Sequence, residues 1–232
     1  MVTAGKLFIT GERTPLEEIA QKLKDYKAEV ALEDADLTLL TQVSELELKG
    51  RRLEGMLSRD VPIRLNKRGT VEISYRTFQT PFVFEIRDGN VFLLVVEKKN
   101  IANAIANMLS MIVYLGIGNI LEAEIPPEVL EGYHKANSEA TKVVFFDSVN
   151  IPNINKLSLY GPSLSNTTLY SQYLQHGKLW YVVVTSKKYG YVVGVTRDSV
   201  VTIFNRISTQ DFIDFCFDEI VGLIIQGLGG RF

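Results

Sequence analysis

The sequence predicts an α+β fold: two similar α/β repeats, each an antiparallel sheet with helices packed on it. Three observations carry this reading. Short segments alternate apolar and polar residues between glycine- and proline-marked turns, as half-buried antiparallel strands do. Helix-start signals stand ahead of segments whose apolar residues recur every three or four positions. The order of these segments recurs, at offsets of 110 to 113 residues, about an uncharged run at the centre of the chain, residues 101–121.

That central run is long enough to invite a membrane reading, since about 20 apolar residues span a bilayer. Asn103, Asn107, Ser110 and Asn119 interrupt it, and polar groups in lipid are costly. Asn100, Asn103, Asn107 and Ser110 recur at helical spacing as one polar stripe. Ile101, Ile105, Met108, Leu109, Ile112 and Val113 fill the other face. The spacing predicts a largely buried amphipathic helix, with Asn100 as its N-cap and Gly116-Ile117-Gly118 as its stop.

The remaining elements follow in order. Residues 6–10 read as a strand. Thr14, Pro15 and Glu17 form a helix start, with Thr14 as N-cap and Glu17 closing a capping box. Leu16, Ile19, Ala20 and Leu23 give that helix its apolar face. Residues 28–34 and 45–49 are strands, and 53–57 a short helix weakened by Gly55. Residues 70–78 alternate as a half-buried strand, and Gln79-Thr80-Pro81 turns the chain into a strand at 82–87. Asp88-Gly89-Asn90 is a tight turn before a buried strand at 91–96. In the second half, residues 120–125, 142–147 and 156–160 are strands, and Pro126-Pro127-Glu128 opens a helix. Residues 166–176 are a helix with Gly177 as its C-cap. Strands at 179–185, 191–196 and 200–207 precede a last helix capped at Ser208. Phe212, Phe215, Cys216, Ile220, Leu223 and Ile224 form its stripe, and the glycine-rich tail 227–232 is frayed.

The halves also match locally. Leu46 to Gly50 aligns with Leu157 to Gly161, Arg87-Asp88 with Arg197-Asp198, Pro15 with Pro127, and Asp34 with Asp147. The expected domains are residues 1–118 and 119–232.

Composition limits the chemistry. At 232 residues with net charge −2, nothing draws the whole chain to nucleic acid or an anionic membrane. Met1 to Lys6 lacks the apolar core of a signal peptide, and one cysteine excludes an internal disulfide. The expected compartment is the cytoplasm. Cys216 reads as a buried inert thiol, and His134 and His176 as helix-end or surface residues. Gly161-Pro162-Ser163-Leu164-Ser165 lacks the last glycine of a nucleophile elbow, and no phosphate-binding loop occurs. Asp211, Asp214, Asp218 and Glu219 read as a solvated helix face. No catalytic residue, metal or cofactor is expected. The basic pairs Lys67-Arg68, Lys98-Lys99 and Lys187-Lys188 sit at turns and are the candidate binding residues, with Lys49, Arg51 and Arg52 as a further cluster. Such pairs serve solubility and edge protection or form a rim for an acidic partner.

Leaving aside the leading strand, each half reads α-β-β-(α)-β-β-β-α. This order resembles the roadblock family and the related longin domains, most closely in residues 127–223. The first half departs from it in its short middle segment and in the extra residues 60–68. The resemblance implies a non-enzymatic, dimerising interaction module or scaffold that engages a small GTPase or a similar protein. Tyr170 and Tyr173, on the middle helix, are then the candidate interface residues. The order also resembles the TATA-binding fold, which makes a nucleic-acid-binding protein the second reading. No membrane partner is expected.

Overall fold

The computed structural model describes residues 2–33 and 36–229. Asp34, placed above in a strand and in an internal match, and residues 230–232 of the tail lie outside the described residues. The first half of the chain comprises β1 (Thr3–Thr10), α1 (Leu16–Leu23), β2 (Lys27–Leu32), β3 (Leu37–Lys49), β4 (Arg52–Lys67), β5 (Thr70–Arg87), β6 (Asn90–Val95) and α2 (Lys99–Tyr114). The second comprises β7 (Ile120–Glu122), α3 (Pro127–Ala136), β8 (Val143–Asp147), β9 (Leu157–Tyr160), α4 (Thr168–His176), β10 (Lys178–Thr185), β11 (Val192–Thr196) and β12 (Val200–Ile203). It closes with α5 (Thr209–Phe215) and α6 (Val221–Gly229), joined by a π-helical turn at Cys216–Ile220.

The expected pair of α/β repeats, each with its own sheet, is not what forms. The strands make one antiparallel sheet of twelve, in the order β2-β3-β4-β5-β6-β1-β12-β11-β10-β8-β9, with β7 beside β1. Strand outweighs helix, 42% to 31%, so the fold is mostly sheet carrying short helices. The chain folds as two compact units. One holds residues 1–9, 96–102 and 121–232; the other holds residues 10–95 and 103–120.

The second of these is a meander. β2 to β6 pair in sequence order through antiparallel hairpins. α1 packs on β3 and β4 and buries Leu16, Ile19 and Leu23. Its N-cap is Pro15 and no side chain caps it, so the expected Thr14–Glu17 box does not form; Thr14 is buried instead. The α2 helix is present, with Ala102, Ile105, Ala106, Leu109 and Val113 buried. Ser110 turns its hydroxyl onto the Gly116 carbonyl at 2.6 Å and helps end the helix. No helix among the described residues is long and apolar enough to cross a membrane.

Two expectations fail in this unit for the same reason. Residues 53–57 are strand, not helix, and Gln79-Thr80-Pro81 is no turn but the interior of an 18-residue strand. Gly55 lies opposite Phe82, and a Cβ on Gly55 would come within 2.4 Å of that ring. The glycine is there for close cross-strand packing, a demand that local helix propensity cannot register. Pro81 stands just before β6 begins pairing at Phe82, where β5 has a free edge and a missing N–H is tolerated.

The larger unit sets β9-β8-β10-β11-β12-β1 side by side, with α3 packed on β10 and α6. Ser208 and Asp211 form a reciprocal capping box at the start of α5. The predicted stripe Phe212, Phe215, Cys216, Ile220, Leu223 and Ile224 is buried throughout. Helix α6 runs to Gly229 with Gly227 buried, so that stretch of the tail is not frayed. Gly177 ends α4 in extended rather than left-handed backbone; a Cβ there would meet the Asp147 carbonyl at 3.0 Å.

Candidate functional site

Two features stand out, one in each unit. In the larger unit a cleft of ≈670 Å³ is walled by Trp180, Pro126 and Pro127 and rimmed by charged groups. Lys6, on β1, is fully buried beside it. Its Nζ lies 2.8 Å from Glu122 and 3.6 Å from Asp198, held by charge rather than by aligned hydrogen bonds. Lys99, at the start of α2, reaches the same Asp198 at 2.6 Å. Burial pushes the Asp198 carboxyl up, but its bonds to Lys99 and Thr196 and the nearby Lys6 outweigh this and hold it below the ordinary value. The Lys99 ammonium is correspondingly raised by its bond to Asp198. Arg197, just after β11, pairs with Asp147 of β8 across the intervening β10. Lys6, Lys99 and Arg197 offset part of the negative charge, but with Glu124 and Glu128 also on the wall five carboxylates face three cations, which leaves the rim acidic.

Behind the sheet, His134 is fully buried on α3 and not at a helix surface. Its Nε2 lies 3.0 Å from the Thr141 hydroxyl, which donates to the Ser138 carbonyl at 2.6 Å. Thr141 therefore accepts from His134, and Nδ1 accepts from the Tyr170 hydroxyl at 2.9 Å. Desolvation holds the imidazole neutral, with its pKa lowered to about 4, and pushes the Tyr170 phenol up. Both ring nitrogens are engaged, so His134 cannot act as a base for Ser163. Tyr170 is a core residue with no face open to a partner, while Tyr173 is half-buried against Phe146. His176 is exposed and bonded to Asn150. Cys216 is buried, and desolvation raises its thiol well above the ordinary value. Asp211 serves the capping box, and Asp218 is exposed. Glu219 is not a solvated carboxylate: it accepts from Tyr133 at 2.8 Å and Ser186 at 3.1 Å. Among the described residues, no group of three or more His, Cys, Asp or Glu is placed to hold a metal ion.

The second feature belongs to the meander. β3 pairs with β4 only as far as Thr41 opposite Arg59, and β6 pairs with β5 only from Phe82. Residues 60–67 and 70–77 therefore continue as a ribbon two strands wide, closed at Arg68-Gly69 with positive φ at both residues. Two positive φ values give the two-residue turn whose twist suits a hairpin. Asp60 anchors the base, accepting from the Leu40 N–H at 3.0 Å and the Thr77 hydroxyl at 2.6 Å. Beyond it both faces meet solvent. The pattern at 70–78 alternates as expected but is not half-buried: Val71 is 63% exposed, Tyr75 46% and Phe78 39%. Sequence alternation shows that a strand has two unlike faces; it does not show whether anything covers either of them.

The candidate basic residues do not share one place. Lys67 and Arg68 form the ribbon tip, with Lys67 paired to Glu72. Lys98 and Lys99 lead into α2, Lys99 near Asp198 just after β11. Lys187 and Lys188 lie before β11, at its other end, with Lys188 over the Tyr189 ring at 4.8 Å. The ribbon residues Arg64, Tyr75, Arg76 and Phe78 were missed, although the sequence places Arg64 and Arg76 within a dozen residues of Lys67-Arg68. A second exposed apolar group, Met111, Leu115 and Ile117, closes α2 in the same unit.

The fold and these features define a mostly antiparallel sheet protein with an acid-rimmed cleft and a projecting ribbon. No protein-family model matches the chain, and comparison with curated proteins finds no similar sequence.

Proposed function

We propose that the chain is a non-enzymatic interaction module that engages a macromolecular partner through the β4–β5 ribbon. The observation that carries this is the exposure of both faces of residues 60–77, where apolar and cationic side chains stand in solvent. An exposed apolar surface is costly to keep and marks interaction sites. The cations at the cleft support the same reading, because Lys6, Lys99 and Arg197 are each tied to a carboxylate and none is poised as a nucleophile with a base beside it.

The test replaces residues 63–74 with Asn-Gly, which shortens the ribbon to the Pro62–Tyr75 pair. Partners are recovered in parallel with the full chain and the shortened one, after both show a cooperative thermal transition within a few degrees of each other. Loss of the recovered partner on shortening is expected. Undiminished recovery places the contact elsewhere and removes the ribbon reading.

A further inference from the structure

We propose that the partner of the ribbon is double-stranded DNA, bound through its phosphates with the ribbon lying in the major groove. This rests on the ribbon being the contact surface. The first support is charge. Residues 60–77 hold four basic and two acidic side chains, a net +2 in a chain of net −2, so the rest carries −4. An anionic partner is attracted to this segment and repelled by the remainder. The cations are available: among the described residues Arg64 and Arg68 are in no ion pair, and Arg76 only covers the Phe78 ring at 5.1 Å.

The second support is their distribution. Directly opposed residues of an antiparallel pair share a face. Arg76 lies opposite Val61, and Lys67 opposite Thr70, on the face that carries Leu65 and Phe78. Arg64 lies opposite Ile73, on the face that carries Pro62 and Tyr75. A flat acidic protein surface can meet only one of these faces. A groove has phosphates on both sides and meets both. The major groove of B-form DNA, about 12 Å wide, admits a two-stranded β-ribbon. The A-form major groove of RNA is too narrow for side-chain readout. Eight residues per strand reach roughly 26 Å, most of a helical turn. The tip, Asn66-Lys67-Arg68-Gly69-Thr70, has no apolar side chain to enter a bilayer, and the apolar residues behind it divide between both faces.

The experiment is fluorescence anisotropy with the full chain and four probes: a labelled 20-base-pair DNA duplex, one strand of it, vesicles containing phosphatidylserine, and poly-glutamate. Duplex binding in the micromolar range at 50 mM salt is expected. With about four phosphates neutralised, it should weaken roughly 100-fold by 200 mM. Arg64→Ala with Arg76→Ala should weaken binding at least tenfold and lower the salt slope by about two. Lys187→Ala with Lys188→Ala should change it less than twofold. The ribbon lies outside the core, so the arginine variants should keep the thermal transition of the parent. Absence of duplex binding at 50 mM overturns the proposal, as does a stronger preference for the single strand, vesicles or poly-glutamate. If one of those other probes is released by the arginine variants, the ribbon remains the contact surface and only its DNA partner is withdrawn. If the variants alter binding to no probe, the ribbon reading falls as well.

Discussion

Individual side chains in this protein are placed by what they touch. His134 is neutral because burial opposes its charge and lowers its pKa from 6.5 to about 4, and both ring nitrogens of the neutral form find partners inside the fold. Between these values the unfolded chain binds a proton that the folded chain does not, so stability falls as pH drops from about 6.5 toward 4. The loss should be on the order of 2–3 kcal/mol, read from urea unfolding at pH 7 and pH 4.5. His134→Gln should remove most of that slope; an unchanged slope would show that other groups supply it. Gly55 makes a second residue-scale prediction. Gly55→Ala drives a methyl into the buried Phe82 ring and should cost about 1–3 kcal/mol. Adding Phe82→Leu should return part of this, and a double variant as unstable as the sum of the two would contradict the contact.

Among the elements, the ribbon and the helical segment that α5 opens lie at opposite extremes. The ribbon is two strands wide, tied at its base by Asp60, and contributes no fully buried side chain between residues 60 and 77. Shortening it should move the thermal midpoint by only a few degrees, since stability follows buried surface. A drop beyond about 10 °C would mean that it packs on something in solution. The start of α5 carries a complete capping box, and Ser208→Ala leaves the Asp211 N–H without its acceptor. That should cost about 1 kcal/mol, and Ser208→Asp should restore most of it.

For the whole molecule, the N-terminal strand matters out of proportion to its length. β1 pairs with β12 from Thr3 opposite Ile203 to Lys6 opposite Val200, across nearly the full chain. It also buries Leu7 and Phe8 and the Lys6 charge. Removing residues 2–10 uncovers the edge of β12 and leaves Glu122 without the Lys6 ammonium. The loss that matters is apolar: burial of Leu7 and Phe8 contributes about 1.5–3 kcal/mol each, and it goes with the strand. The truncated chain should lose its cooperative unfolding transition or aggregate. A sharp transition close to that of the full chain would show that β1 is dispensable.

Local chemistry alone determined a large part of this protein. The places of the second-half strands, though not the ends of those at 120–122 and 200–203, the buried stripe ending in Ile224, the Ser208 cap, the tight Asp88-Gly89 turn and the burial of Cys216 were all legible, because each follows from neighbours a few residues away. Only the tertiary structure decided that one sheet takes all the strands. Strand order depends on partners far apart in sequence, as Lys6 and Val200 are, and periodicity cannot name a partner. For the same reason Gly55 read as a weak helix residue until Phe82 lay across from it, and Pro81 as a turn until β5 ran through it. The candidate site divided in the same way. Charge at Lys67-Arg68 was visible in the chain. That both faces of the ribbon behind it stay uncovered depends on where β3 and β6 stop pairing, and no local pattern records that.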